Sequence, residues 1–172
     1  MRIFDHIKII GAGLVYFLIQ ILILKEVNLF DSGFLLLYIA ILLFLPLEIG
    51  VISAMFIAFG LGFIVDIFYN SPGIHASACL TLIFVREWWK NVITPQGGYD
   101  LGAIPSIGSM GFNWFIIYLA PLVLVHHLVL FFIEAGGASN FWFTLSNVLV
   151  SFLINTLLLV LIQMLFYSKK GR

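Results

Sequence analysis

Charge is what this sequence has least of. Eight basic and eight acidic side chains are spread over 172 residues, so charged residues make up 9% of the chain and the formal net charge is zero. With no surplus of positive charge there is no strong pull toward nucleic acid. A single cysteine, Cys79, sits among apolar residues, which leaves no partner for a disulfide and no cysteine pattern for zinc. The motifs of common enzyme classes are missing too. There is no nucleotide-binding loop, no G-x-S-x-G elbow, no H-E-x-x-H pair and no pair of catalytic carboxylates. Gly108-Ser109-Met110-Gly111 lacks the required spacing, and Gln96-Gly97-Gly98 is too loose for a phosphate cradle. No catalytic residue, metal site or cofactor is expected. The residues before Ile9 are too polar, and too much apolar sequence follows, for a cleaved signal peptide.

What is present is apolar sequence in long runs. Hydrophobic residues make up 63% and the mean hydropathy is +1.18, more apolar surface than a soluble domain of this size can hide. Several windows match the ~20 residues that a helix needs to cross a bilayer. The reading is an all-α, polytopic membrane protein forming one integral-membrane domain over 1–172, a bundle of six helices spanning 9–24, 29–45, 48–68, 74–89, 112–134 and 140–167. Residues 33–65 are almost continuously apolar and would make a helix ~50 Å long, well beyond a ~30 Å hydrocarbon core. Pro46-Leu47-Glu48 is the one interruption, so the break between the second and third spans is placed there. Asp31-Ser32-Gly33 reads as the cap of the second span, and Gly136-Gly137 as the end of the fifth, with Ser139 or Asn140 capping the sixth.

The stretch 60–79 organises the rest. Asp66 lies near the end of an apolar helix, followed by Phe68, Tyr69, the turn Asn70-Ser71-Pro72-Gly73, and then His75 with Ala76, Ser77, Ala78 and Cys79. Proline followed by glycine suits the centre of a type II turn, which forces the flanking helices antiparallel and into contact. An acid inside such a helix is costly and is usually functional or paired. Asp66 and His75 flank the same turn. Three roles stay open for them: a hydrogen bond closing the hairpin, contact with a partner or ligand, or acid/base chemistry. Before them, Gly50, Ala54, Ala58 and Gly62 recur every four residues, a small-residue ridge that permits close helix contact.

Arg86, Trp88, Trp89 and Lys90 read as an interfacial girdle with snorkelling cations. Loop 91–111 is the longest, and its Ile104, Ile107 and Met110 suit a membrane surface. His126 and His127 point ~100° apart on a helix, which argues against joint metal binding and leaves interhelical hydrogen bonding or a relay from His127 to Glu134. Asn155 and Gln163 are expected to bond across helices. Six spans put Arg2, Lys8, Arg86, Lys90, Lys169, Lys170 and Arg172 on one side and Lys25 alone on the other, which makes both termini cytoplasmic.

Gly60-Leu61-Gly62-Phe63-Ile64-Val65-Asp66 followed by Pro72-Gly73-Ile74-His75 resembles the glycine–leucine, aspartate and proline–glycine motif of the rod shape-determining MreD family. Pro95-Gln96-Gly97-Gly98-Tyr99-Asp100, Trp114-Phe115-Ile116-Ile117-Tyr118 and His126-His127 resemble its members from the Bacteroidetes group. The resemblance implies a fold similar to the S components of energy-coupling-factor transporters and a location in the bacterial inner membrane. It implies no enzymatic activity, but a scaffold role in lateral wall synthesis. MreC and the MreB filament are the implied partners, with RodA and a class B penicillin-binding protein as neighbours. Asp66, Asn70, Pro72, Gly73 and His75 are then the candidates for partner binding. A small-molecule (vitamin) uptake subunit of the S type is the alternative, although Ala12 is followed four places later by Tyr16 where that class repeats alanine. An ion or proton channel through His127 and Glu134 is the third.

Overall fold

The computed structural model describes residues 3–29, 33–138 and 140–166. It is mostly helical. Helix α1 covers Ile3–Leu22 and ends in a 3-10 turn, Leu24–Glu26. Strands β1 (Asn28–Leu29) and β2 (Gly33–Phe34) form a small antiparallel hairpin with Asn28 opposite Phe34. Five-residue α2 (Ile39–Leu43) follows, then α3 (Val51–Tyr69), α4 (Ile74–Val92), short α5 (Ile107–Met110), α6 (Phe112–Glu134) and α7 (Phe141–Phe166). Three of these, α3, α6 and α7, are long and apolar enough to cross a membrane.

Burial follows a bilayer pattern. Large apolar side chains such as Phe56, Trp142, Leu153 and Leu165 are exposed, while each long helix hides a narrow stripe. On α7 that stripe is Thr144, Val148, Ser151, Asn155, Leu159 and Gln163, spaced three or four apart and rich in polar groups. Proline at position 121 of α6 has no N–H to offer the carbonyl four residues back. The indole of Trp89 donates to that carbonyl, Ile117 O, at 2.9 Å. The end of α6 is a Schellman motif: Gly137 N donates to Phe132 O and Gly136 N to Ile133 O, both at 3.0 Å, with Gly136 at φ 67°. The two glycines thus end the helix as the sequence predicts. Ser139 lies outside the described residues.

The expected second span is the main correction. The described residues of 29–45 do not form one spanning helix; from Gly33 the chain passes through the bundle as β2, an irregular stretch and the five-residue α2, with 36–40 and 42–45 buried. Of the expected cap, Asp31 and Ser32 lie outside the described residues, and Gly33 belongs to β2. Loop 91–111 is tied down as well. Leu47 N donates to Ala103 O at 2.9 Å, and Ile104, Ile107 and Met110 pack against the core instead of lying free on a surface.

Candidate functional site

The α3–α4 hairpin is built as the motif 60–75 suggests. Ser71, Pro72, Gly73 and Ile74 make the turn, with Ile74 N bonded to Ser71 O at 3.4 Å and Gly73 at φ 83°, ψ 0°, the third-position geometry of type II. Asn70 closes α3 in the left-handed conformation, φ 53°, a role to which asparagine is suited. The Asp66 carboxylate reaches across the turn to the start of α4. Oδ1 accepts from the backbone N–H of His75 at 2.9 Å and Oδ2 from that of Ala76 at 3.0 Å, so an acid on one helix caps the N-terminus of the next. Ser71 Oγ donates to Oδ1 at 3.0 Å, and His75 Nδ1 lies 3.1 Å from the same oxygen, which requires the proton on Nδ1. Asp66 and His75 are both buried, whereas Asn70, Pro72 and Gly73 stand exposed at the tip.

Gly62 sets how closely the two helices approach. A Cβ there would lie 2.5 Å from Ala76 Cα and 2.7 Å from Ala76 N, so any side chain would push α4 away from its capping carboxylate. Ala54 and Ala58 are fully buried on the same ridge. Gly50 is not part of it: the residue is exposed, precedes α3 as its cap, and has open space where a Cβ would point.

A second polar assembly surrounds the irregular segment 33–47. Without a helix, its N–H and C=O groups need partners from elsewhere. Gln20 on α1 supplies three bonds, donating to Leu35 O at 3.0 Å and accepting from Leu37 N and Tyr38 N. From α7, Ser151 Oγ accepts from Phe34 N at 3.0 Å. Asn155 accepts from Leu36 N and donates to Phe34 O, both at 2.7 Å. At the other end Tyr118 donates to Leu43 O at 2.7 Å, Arg86 to Leu45 O at 2.6 Å and Lys90 to Leu47 O at 2.7 Å. Arg86 also donates through Nε to the Tyr118 hydroxyl at 2.6 Å. Arg86 and Lys90 are therefore not snorkelling cations. They are 1% and 7% exposed; Arg86 faces inward to the carbonyls beyond α2, and Lys90 divides its ammonium between Leu47 O and the partly exposed carboxylate of Glu87, 2.8 Å away.

The histidines complete this interior. His126 Nε2 lies 3.0 Å from the Tyr38 hydroxyl, and His127 bonds Val123 O at 2.7 Å and Asn155 Nδ2 at 3.1 Å. Of the two roles left open for this pair, the contacts to Tyr38 and Asn155 are the hydrogen-bonding one; both histidines are buried, whereas Glu134 is exposed at the end of α6. Gln163 accepts from Ile107 N at 3.3 Å. Outside the helices, Tyr99 donates to Lys90 O at 2.6 Å, and burial raises its phenol above the ordinary value, so it remains a donor at neutral pH.

Gln20, Tyr38, Tyr118 and Ser151 were not singled out by the sequence. The pairs Arg86/Lys90 and Ser151/Asn155, each four apart on one face of an apolar helix, carried a usable signal. Among the described residues no group of three or more His, Cys, Asp or Glu is placed to hold a metal ion. No protein-family model matches the chain, and neither a curated protein nor a solved structure matches it.

Proposed function

We propose that this chain is a non-catalytic scaffold of the machinery that builds the lateral wall of rod-shaped bacteria, a member of the MreD family that binds MreC and is linked to MreB. One observation carries the reading. Both oxygens of Asp66, the acid of the resembling motif, are committed to backbone donors of α4, which makes the carboxylate a clamp that holds up an exposed turn of Asn70, Pro72 and Gly73. A rigid protruding turn suits docking, since little conformational freedom is lost on binding. RodA and a class B penicillin-binding protein are the expected neighbours in the same assembly.

In this proposal the chain crosses the inner membrane six times, through α1, segment 33–47, α3, α4, α6 and α7. Both termini are cytoplasmic, in keeping with the basic residues at the chain ends and near the end of α4. The tip then faces outward. Affinity capture from native membranes followed by mass spectrometry tests it. Recovery of MreC with the wall polymerase is the expected result, with at least a tenfold loss for the tip variant Asn70→Lys/Pro72→Lys at unchanged abundance. Capture that is indifferent to the tip would remove the docking role. Recovery of an ATPase module, with tight vitamin binding, would replace the scaffold reading with S-type uptake.

A further inference from the structure

A second protruding turn lies beyond the end of α4 that is remote from Pro72. Between α4 and α5 the side chains of Ile93, Tyr99 and Ile104 pack against the core, and Leu101 alone among the large apolar residues is turned out, 97% exposed. The chain around it is pinned. Asp100, Leu101, Gly102 and Ala103 make a tight turn, with Ala103 N bonded to Asp100 O at 3.0 Å and Gly102 at φ 73° in the third place. Leu47 N donates to Ala103 O at 2.9 Å, and Glu48 Oε2 accepts from Gly102 N at 2.9 Å. Just before the turn, the Tyr99 hydroxyl is tied to Lys90 O and its ring packs edge-on against Trp114. Leu101 cannot fold back onto the bundle without breaking these bonds.

We propose that Leu101 is a docking knob for a protein partner whose surface offers an apolar socket bordered by lysine or arginine. Charge decides the occupant. The exposed carboxylate of Asp100 belongs to the residue before Leu101, and that of Glu48 sits on the peptide N–H after it. The described cations at this end do not offset them at the surface: Arg86 is buried, and Lys90 turns to Leu47 O and Glu87. The apex thus presents one leucine between two negative charges. An anionic membrane surface repels such an apex, and carboxylates resist the desolvation that inserting the leucine into lipid would demand. A second copy meeting it apex to apex would bring like charges together. A socket with a basic rim buries the leucine and pairs the acids in one contact. Because the turn is already fixed, little conformational freedom is lost on binding. This surface is separate from the tip at Asn70 and Pro72, and neither docking role needs the other.

The test is photo-crosslinking of the full-length chain in its native membrane. A photoreactive amino acid replaces Gln96, exposed on the neighbouring turn, and the crosslinked peptide is mapped by mass spectrometry. One protein adduct is expected, on a segment that carries lysine or arginine beside apolar residues. It should fall at least fivefold in Leu101→Ser and at least fivefold in Asp100→Lys. Reversing the partner's mapped cation to glutamate should bring the Asp100→Lys adduct back to within about twofold of wild type. Both variants change exposed side chains and leave the backbone bond of the turn in place, so abundance should match wild type. Glu48→Gln, which keeps an oxygen for Gly102 N, reads the charge dependence if Asp100→Lys does not accumulate. An adduct to phospholipid, an adduct to a second copy of the chain, an adduct indifferent to Leu101 or to the charges, or no adduct from the otherwise wild-type chain would each overturn the proposal.

Discussion

In the α3–α4 hairpin nearly every backbone group is paired within its own helix, and side chains are needed only where the helices meet: Asp66 at the start of α4, Gly62 at the crossing. In segment 33–47 the opposite holds. The backbone there has little regular structure, and six side chains from α1, α4, α6 and α7 supply what a helix would have supplied from within. The hairpin is specified by local sequence. The segment is specified by residues up to 121 positions away, such as Asn155 bonding to Phe34. Inside a bilayer both are admissible, since irregular backbone is tolerated at depth when protein covers and satisfies it.

That contrast predicts where the molecule is most easily damaged. Asn155→Leu leaves Leu36 N and Phe34 O without their partners and removes the contact to His127. At ~1–3 kcal/mol for each buried group left unsatisfied, the loss should reach about 3–5 kcal/mol, read as a large fall in unfolding midpoint in detergent. If the variant were as stable as wild type, the segment would not need external partners and the contrast would fail. Gly62→Ala attacks the hairpin instead. Overpacking against Ala76 should cost about 1–3 kcal/mol, and a disulfide designed across α3 and α4 beside it should form more slowly. Trp89→Phe uncovers Ile117 O on α6 and should cost about 1 kcal/mol in the same assay. The tip variant Pro72→Ala should stay within ~0.5 kcal/mol of wild type, because the residue is exposed and bonded to nothing that the helices need.

Legibility in the sequence divides along the same line. The sequence places the fifth span at 112–134, and α6 covers those residues; the third and fourth spans differ from α3 and α4 by at most three residues at an end. The turn and the Asp66–His75 pairing were readable because proline, glycine and the acid act within ten residues of one another. Residues 29–45 misled because their composition is that of a spanning helix. Nothing within that stretch states that Gln20 and Asn155 will take over its hydrogen bonds. Arg86 and Lys90 misled for the same reason. Beside Trp88 and Trp89 they fit an interfacial girdle, and only the free carbonyls of Leu45 and Leu47, more than forty positions earlier, turn them inward.

Hydrogen–deuterium exchange of the backbone amides of 36–45 tests this arrangement most directly. In the wild-type protein they should exchange as slowly as those of α3, and in Asn155→Leu the amides of 34–38 should speed up by at least tenfold while α3 stays protected. Exchange as rapid as an exposed loop in wild type, or protection that survives the loss of Asn155, would contradict it.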